Sequence, residues 1–396
     1  MQRLLALLAT LSLVTVAGAQ NPVVTPKISQ LFAFSCNSDY SACPAGMDPA
    51  RTPIQLSDGN LYGVTWWGGL DSRNGGGTVW KVTPAGVPSV VHAFLPDSTG
   101  QFPKGENPVI GFAKGADGNL YGITESGGVN NNSQGVMFAV TPSGTFKVVL
   151  NFCTGTCQNI QGSILLAKDG NFYGVQSGGG AIIRITPLGA YSVVHKLDAT
   201  TEGWAATLTQ GRDGNFYGTG GLLGETPCDR QATVFKLTPA GHFTLLTTFP
   251  ARSEPLGNLI QATDGNFYGA VDTNGQSSIF RISSTGSLSV IYLLQSGDGQ
   301  NVAHIVQASD HNLWVLSADG GPLTTQPGAV FAITTQGQHL ARASFSCSTT
   351  GCTPSGMIQG RDGNFYGIAT VGGHALNRNP MGTLFKISAG LPAPTN

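Results

Sequence analysis

One hexapeptide recurs along this chain often enough to dictate its architecture. Asp58-Gly59-Asn60-Leu61-Tyr62-Gly63 returns as Asp117-Gly118-Asn119-Leu120-Tyr121-Gly122, and with Phe in the fourth place from Asp169, Asp213, Asp264 and Asp362. A degenerate copy, Asp310-His311-Asn312-Leu313-Trp314-Val315, stands between the last two. The seven copies are spaced by about 51 residues, within the range of propeller blades. Two further segments follow each copy in fixed order. Thr78-Val79-Trp80-Lys81-Val82-Thr83-Pro84-Ala85-Gly86 reappears from Val136, Ala181, Thr233, Ser278, Ala329 and Thr383, and an apolar strand such as Ser89 to Phe94 comes next.

Each part has a physical role. A segment such as Asn258-Leu259-Ile260-Gln261-Ala262 supplies strand one. Asp-Gly-Asn makes the hairpin turn, with Gly taking a positive φ and Asp bonding nearby amides. Phe-Tyr-Gly opens strand two, strand three ends at the tight turn Thr-Pro-x-Gly, and alternation with β-branched content marks strands three and four. Four antiparallel strands repeated seven times give an all-β, seven-bladed propeller. The last copy ends at Gly390 without a fourth strand, while Ile28 to Phe34 matches a fourth strand and precedes every turn. Pairing the two closes the ring and removes two open edges.

The first residues have the form of an export signal: Arg3, an apolar run from Leu4 to Val16, and Ala17-Gly18-Ala19 before Gln20. The chain therefore divides into a signal peptide (1–19), a lead-in (20–27), one propeller domain (28–390) and a short tail (391–396). No later stretch has the length of a membrane-spanning helix. Charged residues make up 10% and the net charge is −1, so nothing draws nucleic acid or anionic lipid. A monomer released outside the cytoplasm or into a periplasm is expected, with no cofactor and no metal. Three close cysteine pairs follow equivalent apolar segments: Cys36 with Cys43, Cys153 with Cys157, and Cys347 with Cys352. In an exported protein this favours three local disulfides over a zinc site. Cys228 is left unpaired.

These repeats resemble the bacterial GloVer tandem repeats of secreted proteins with varied C-terminal anchors. The resemblance runs from Ile28 to Gly390 and rests on Asp-Gly-Asn-Phe-Tyr-Gly, on Gly-Gly pairs such as Gly127-Gly128 and Gly372-Gly373, and on Gly-Thr-x-Phe-Lys-x-Thr/Ser. It implies export and the repeat fold, but no activity. This chain lacks a recognisable anchor, which points to a released or periplasmic form. The turns are also, more weakly, similar to those of virginiamycin B lyase-like and other NHL-type propellers, which implies an enzymatic alternative without assigning residues.

In such a blade the one–two and three–four turns share one face, and the two–three and four–one connections share the other. The first set is uniform and the second varied, which places binding on the variable-loop face. The candidates there are Trp66, Trp67, Asp71 and Arg73 in blade one, and Glu125 with Asn130, Asn131 and Asn132 in blade two. Blade four offers Glu225, Asp229 and Arg230, blade five Asp272 and Asn274, and blade seven His374, Asn377 and Arg378, with Trp204 in the loop entering blade four. Trp66, Trp67 and Trp204 have no counterpart in other repeats. They form either an aromatic platform or, the reading preferred on sequence grounds, caps on the inter-blade core.

Catalytic motifs are missing: there is no G-x-S-x-G elbow, H-E-x-x-H helix or phosphate loop. Seven of the 21 acidic residues are the turn aspartates, read as turn stabilisers. Fourteen others remain, with Glu106, Glu125, Glu202, Glu225 and Glu254 as possible members of a catalytic pair, and nothing in the sequence brings two together as glycoside chemistry requires. His92, His195, His242, His311 and His339 occupy structural positions. His304, placed before strand one of blade six, and His374 are the two functional candidates. Gln55, Gln210, Gln261, Gln307 and Gln359 each stand three residues before a turn Asp, with Lys114 and Leu166 in the other two blades. They either ring the central channel as a ligand site or, as preferred, form a ladder joining blades. The function expected is non-catalytic recognition of a glycan or protein partner, with a propeller lyase or hydrolase, metal-assisted at the channel mouth, as the alternative.

Overall fold

A computed structural model describes residues 24–37, 42–69, 75–129, 134–152, 159–176, 178–222, 230–319, 327–373 and 379–395. Seven antiparallel sheets form a β-propeller. Blade one consists of Met47–Gln55, Leu61–Trp67, Thr78–Val82 and Pro88–Ala93, and blades two to six repeat that order over 106–151, 160–196, 204–248, 253–293 and 300–344. In blade seven, Cys352–Gln359, Phe365–Val371 and Asn379–Ser388 are completed by the N-terminal strand Lys27–Cys36, which pairs with the third strand. The closure expected from the offset of the repeats is therefore present.

The hexapeptide works as one unit. In blade one the Asp58 carboxylate accepts bonds from the Asn60 amide (3.0 Å), Asn60 Nδ2 (2.8 Å) and the Tyr62 hydroxyl (2.7 Å). Burial pushes this carboxyl up, but the bonds from Tyr62 and Asn60 outweigh it and hold Asp58 below the usual carboxylate range. Gly59 stands at φ 79°, a region that favours glycine, and in blade six His311 fills the same place at 62°. The Gly after Tyr has a different task. A Cβ on Gly63 would run into the Trp80 ring, and on Gly269 into that of Phe280, so strand two yields its space to the aromatic of strand three.

Seven apolar clusters hold the ring, and each spans one seam between neighbouring blades. The closing seam is filled by Phe34, Leu61, Trp80, Tyr366 and Leu384. At the turn face, Gly86 presses on the Leu31 carbonyl of the preceding blade, where a Cβ would lie 2.7 Å from that oxygen. Both ends of the described chain lie on this face. Lys27 pairs with Ser388 at the end of strand three, and the tail folds inward so that Pro392 O accepts a bond from Ser309 Oγ (2.7 Å).

Three expectations are corrected. Strand one of blade five runs from Ser253 to Gln261, longer at its start than the segment inferred and stopping before Ala262. Trp204 is not in a loop: it pairs with Gly221 as the first half of a broken strand one, Trp204–Ala205 and Thr209–Gln210. His304 lies within strand one of blade six, Gln300–Gln307, where its Nδ1 is shut off from solvent and unpartnered among the described residues.

Two of the three expected disulfides fall among the described residues. Bonds join Cys36 to Cys43 and Cys347 to Cys352, as expected. The third expected pair, Cys153 and Cys157, lies outside the described residues.

Candidate functional site

Strand two of blade one ends on the variable-loop face with Trp66 and Trp67, and these indoles are not the core caps preferred above. They are 39% and 40% exposed. The reason lies one residue earlier. Thr65 Oγ1 meets Thr78 Oγ1 at 2.8 Å, and Thr78 Oγ1 donates to Ala45 O at 3.1 Å, a polar knot that closes the blade beneath the two rings. The Trp67 carbonyl accepts from Thr65 Oγ1 and the Trp66 carbonyl from Asn107 Nδ2 of blade two, so the backbone carrying the rings is tied down. The ring planes differ by 3° with centroids 6.4 Å apart. A planar group held between two rings needs about 7 Å, twice a van der Waals contact. The rings are therefore too close to hold a group between them, and the pair offers its exposed surface as a shelf.

A second feature opens between blades three and four on the same face. It is a cleft of about 420 Å3 lined by Gly178, Gly180, Leu197, Ala199, Gly203, Trp204 and Arg230. It exists because the two–three connection of blade three is confined to residues 177–180 and leaves a gap in the rim. The Trp204 indole lies across the bare backbone of Gly221, where a Cβ would stand 2.8 Å from Nε1. The far wall is the loop 198–203. Asp198 caps it by accepting from Thr200 and Thr201, bonds that hold its carboxyl down to about 2, while Glu202 meets His195 Nε2 at 2.8 Å. Sequence reasoning named Trp204 and Arg230 separately. The signal for their meeting was the short loop of blade three.

Glu125 is exposed at the end of strand two of blade two, and its carbonyl accepts from Asn159 Nδ2 of blade three. Asp71, Arg73, Asn131, His374 and Arg378 lie outside the described residues, as do Asn130, Asn132, Glu225, Asp229, Asn377 and Cys228. Glu254 lies 3.8 Å from Arg230, and Glu106 begins strand one of blade two.

The glutamines make a ladder. Gln261 Nε2 donates to Gly265 O of its own turn (2.9 Å), and its Oε1 accepts the Arg212 amide of blade four (2.7 Å). Gln55, Gln210, Gln307 and Gln359 repeat this, taking the amides of Arg361, Lys168, Thr263 and Ser309 in the preceding blades. The rungs are missing at both seams of blade two, where Lys114 and Leu166 replace glutamine. Those two seams are spanned at the opposite face by Asn107 and Asn159.

One buried group escaped the sequence. Asp298 is fully enclosed in the connection between blades five and six. Its carboxylate takes the Tyr292 hydroxyl at 2.6 Å and the Gln295 amide at 2.8 Å, and faces Arg342 at 3.3 Å and His339 at 3.6 Å. Burial and this carboxylate push the Tyr292 phenol well above its ordinary value. Saturated by four neighbours, Asp298 ties the fourth strands of two blades together. Among the described residues, no cluster of three or more His, Cys, Asp or Glu side chains is placed to hold a metal ion.

The family model described as the Gloeobacter/Verrucomicrobia repeat matches residues 24–227 and 210–392. No curated protein sequence matches the chain. Among solved structures, a streptogramin B lyase is similar with a TM-score of 0.59 at 14% identity, over 92% of this chain and 98% of that one. A virginiamycin B lyase from Staphylococcus aureus is similar with a TM-score of 0.60 at 14% identity, over 92% and 99% of the two chains. A catalytically inactive form of the Staphylococcus aureus enzyme with quinupristin gives 0.58 at 14% identity, over 92% and 99%. Likeness at this identity shows the fold alone.

Proposed function

This chain belongs to the Gloeobacter/Verrucomicrobia repeat family, and from that premise we propose a binding role outside the cytoplasm, in which the loop face holds a carbohydrate chain. The observation that carries it is the Trp66–Trp67 shelf, two indoles with parallel planes left partly open on a braced backbone. The C–H face of a pyranose is apolar and flat, and it matches the negative π-face of an indole. A shelf that needs no closure suits an extended polymer lying along the surface. Two disulfides accord with an oxidising compartment.

The test is calorimetric titration of the protein from Gln20 onward with soluble neutral polysaccharides, followed by Trp66→Ala, Trp67→Ala and the double variant. Both side chains stand outside the core, so the variants should fold. Loss of about tenfold or more in affinity per ring is expected, in line with 1–3 kcal/mol for an aromatic stacking contact. Equal binding by the double variant and the parent would remove the shelf from the function.

A further inference from the structure

We infer that the cleft between blades three and four is a subsite for an acidic sugar, a hexuronate, stacked on Trp204 with its carboxylate paired to Arg230. The sugar half of this assignment rests on the carbohydrate reading above. The carboxylate half rests on Arg230.

The cleft has the size of a small-molecule site, about 420 Å3 against the usual range of about 300–1,000 Å3. Its lining divides into two chemistries. Leu197, Ala199 and the indole of Trp204 offer an apolar wall, with one indole face already seated on Gly221 so that the ring is held in place. Arg230 supplies the one cationic group among the described residues of the lining.

Other arginines of the ring are structural: Arg212 donates to Thr263 O, Arg342 to Ser296 O and Arg361 to Ser57 O. Among the described residues the Arg230 side chain makes no hydrogen bond. Its acidic partner among those residues, Glu254, is 3.8 Å away, beyond hydrogen-bonding distance, and the two side chains are 45% and 65% exposed. An exposed pair of this kind contributes little and yields to a better acceptor. The planar fork of a guanidinium matches a carboxylate with two parallel bonds. The acidic residues of the opposite wall do not compete, because Asp198 is committed to Thr200 and Thr201 and Glu202 to His195.

Gly180 gives a clean way to close the cleft. Its φ lies outside the left-handed region, and a Cβ built on it meets nothing within 4 Å, so a side chain there would project into open space without backbone strain. Gly180→Leu therefore fills the cleft while leaving the blade intact.

Calorimetric titrations of the parent, Gly180→Leu, Arg230→Gln and the Trp66→Ala/Trp67→Ala double variant would use a galacturonic acid oligomer and a neutral galactose oligomer of equal length. Melting temperature serves as the check on folding. The parent should prefer the acidic oligomer by about ten- to hundredfold, the weight of a charge-assisted pair. Arg230→Gln should bring the two oligomers to parity, and Gly180→Leu should weaken the acidic oligomer at least tenfold with an unchanged melting temperature. Undiminished acidic binding in Gly180→Leu, or a preference that survives Arg230→Gln, overturns the assignment. Neutral binding lost only in the double tryptophan variant, with no acidic preference in the parent, keeps the shelf and discards the cleft. Acidic binding that depends on Gly180 and Arg230 but not on the two tryptophans keeps the cleft and discards the shelf.

Discussion

Replacing Gln261 by Leu tests whether the glutamine ladder is structural. The substitution removes the bond from Nε2 to Gly265 O at 2.9 Å and the bond from the Arg212 amide to Oε1 at 2.7 Å. Two neutral hydrogen bonds contribute about 0.5–1.5 kcal/mol each. The side chain is half-buried and the Arg212 turn is exposed, so water replaces part of the loss, and a destabilisation of about 1–2 kcal/mol is expected. For a chain of this length the unfolding entropy corresponds to about 0.8 kcal/mol per degree, giving a fall of roughly 1–3 °C in melting temperature. Urea denaturation followed by near-ultraviolet circular dichroism is the sharper assay, since the midpoint moves while the slope should not. The reverse change, Lys114→Gln, supplies an acceptor for the Ser57 amide at a seam without a rung and should raise the midpoint. The reasoning is refuted if Gln261→Leu costs less than about 0.3 kcal/mol, because water would then be as good a partner as the neighbouring blade.

Acid should weaken the ring in two stages. Burial holds His304 down from its ordinary 6.5 to about 4, and burial with the Lys104 charge does the same for His92. The unfolded chain binds those protons first, so stability should fall as pH drops from about 6.5 toward 4. His304→Leu should flatten that limb, and an unchanged pH profile of the melting temperature counts against it. Below this window the depressed turn carboxylates, such as Asp58 and Asp362, are protonated in the unfolded chain first, and their contribution disappears as pH falls through their folded values. Gly86→Ala should cost about 2 kcal/mol or more, combining a φ of 84° with a collision on Leu31 O, whereas Gly59→Ala at 79° meets no neighbour and should cost about 1 kcal/mol. Equal costs in denaturant titrations would mean the seam contact is irrelevant. Deleting residues up to Cys36 leaves the third strand of blade seven as an open edge, and the product should elute as aggregates in size-exclusion chromatography, whereas an intact monomer would contradict the closure argument.

The parts of this fold that were legible in the sequence are those in which one residue's partner lies a few positions away or one repeat away. Asp58 finds Asn60 and Tyr62 within its own turn, and Gln261 finds Arg212 at a fixed offset of one blade. The site was harder because its geometry depends on differences between repeats. The exposure of Trp66 and Trp67 follows from a threonine pair, Thr65 and Thr78, whose meeting is set by register and not by spacing. The cleft needs the short loop of one blade beside the broken first strand of the next. Asp298 collects Tyr292, His339 and Arg342 from the fourth strands of two blades, a juxtaposition that no single repeat contains.

Because Lys27 and the folded-back tail both sit on the turn face, the described chain enters and leaves on the same side of the disc. A tether, a fused domain or an affinity tag would hold the molecule like a dish on its stand, with the tryptophan shelf and the arginine cleft turned away from the attachment. Immobilised through the turn face, the protein would leave its variable-loop face unobstructed, the orientation in which the proposed binding is best assayed.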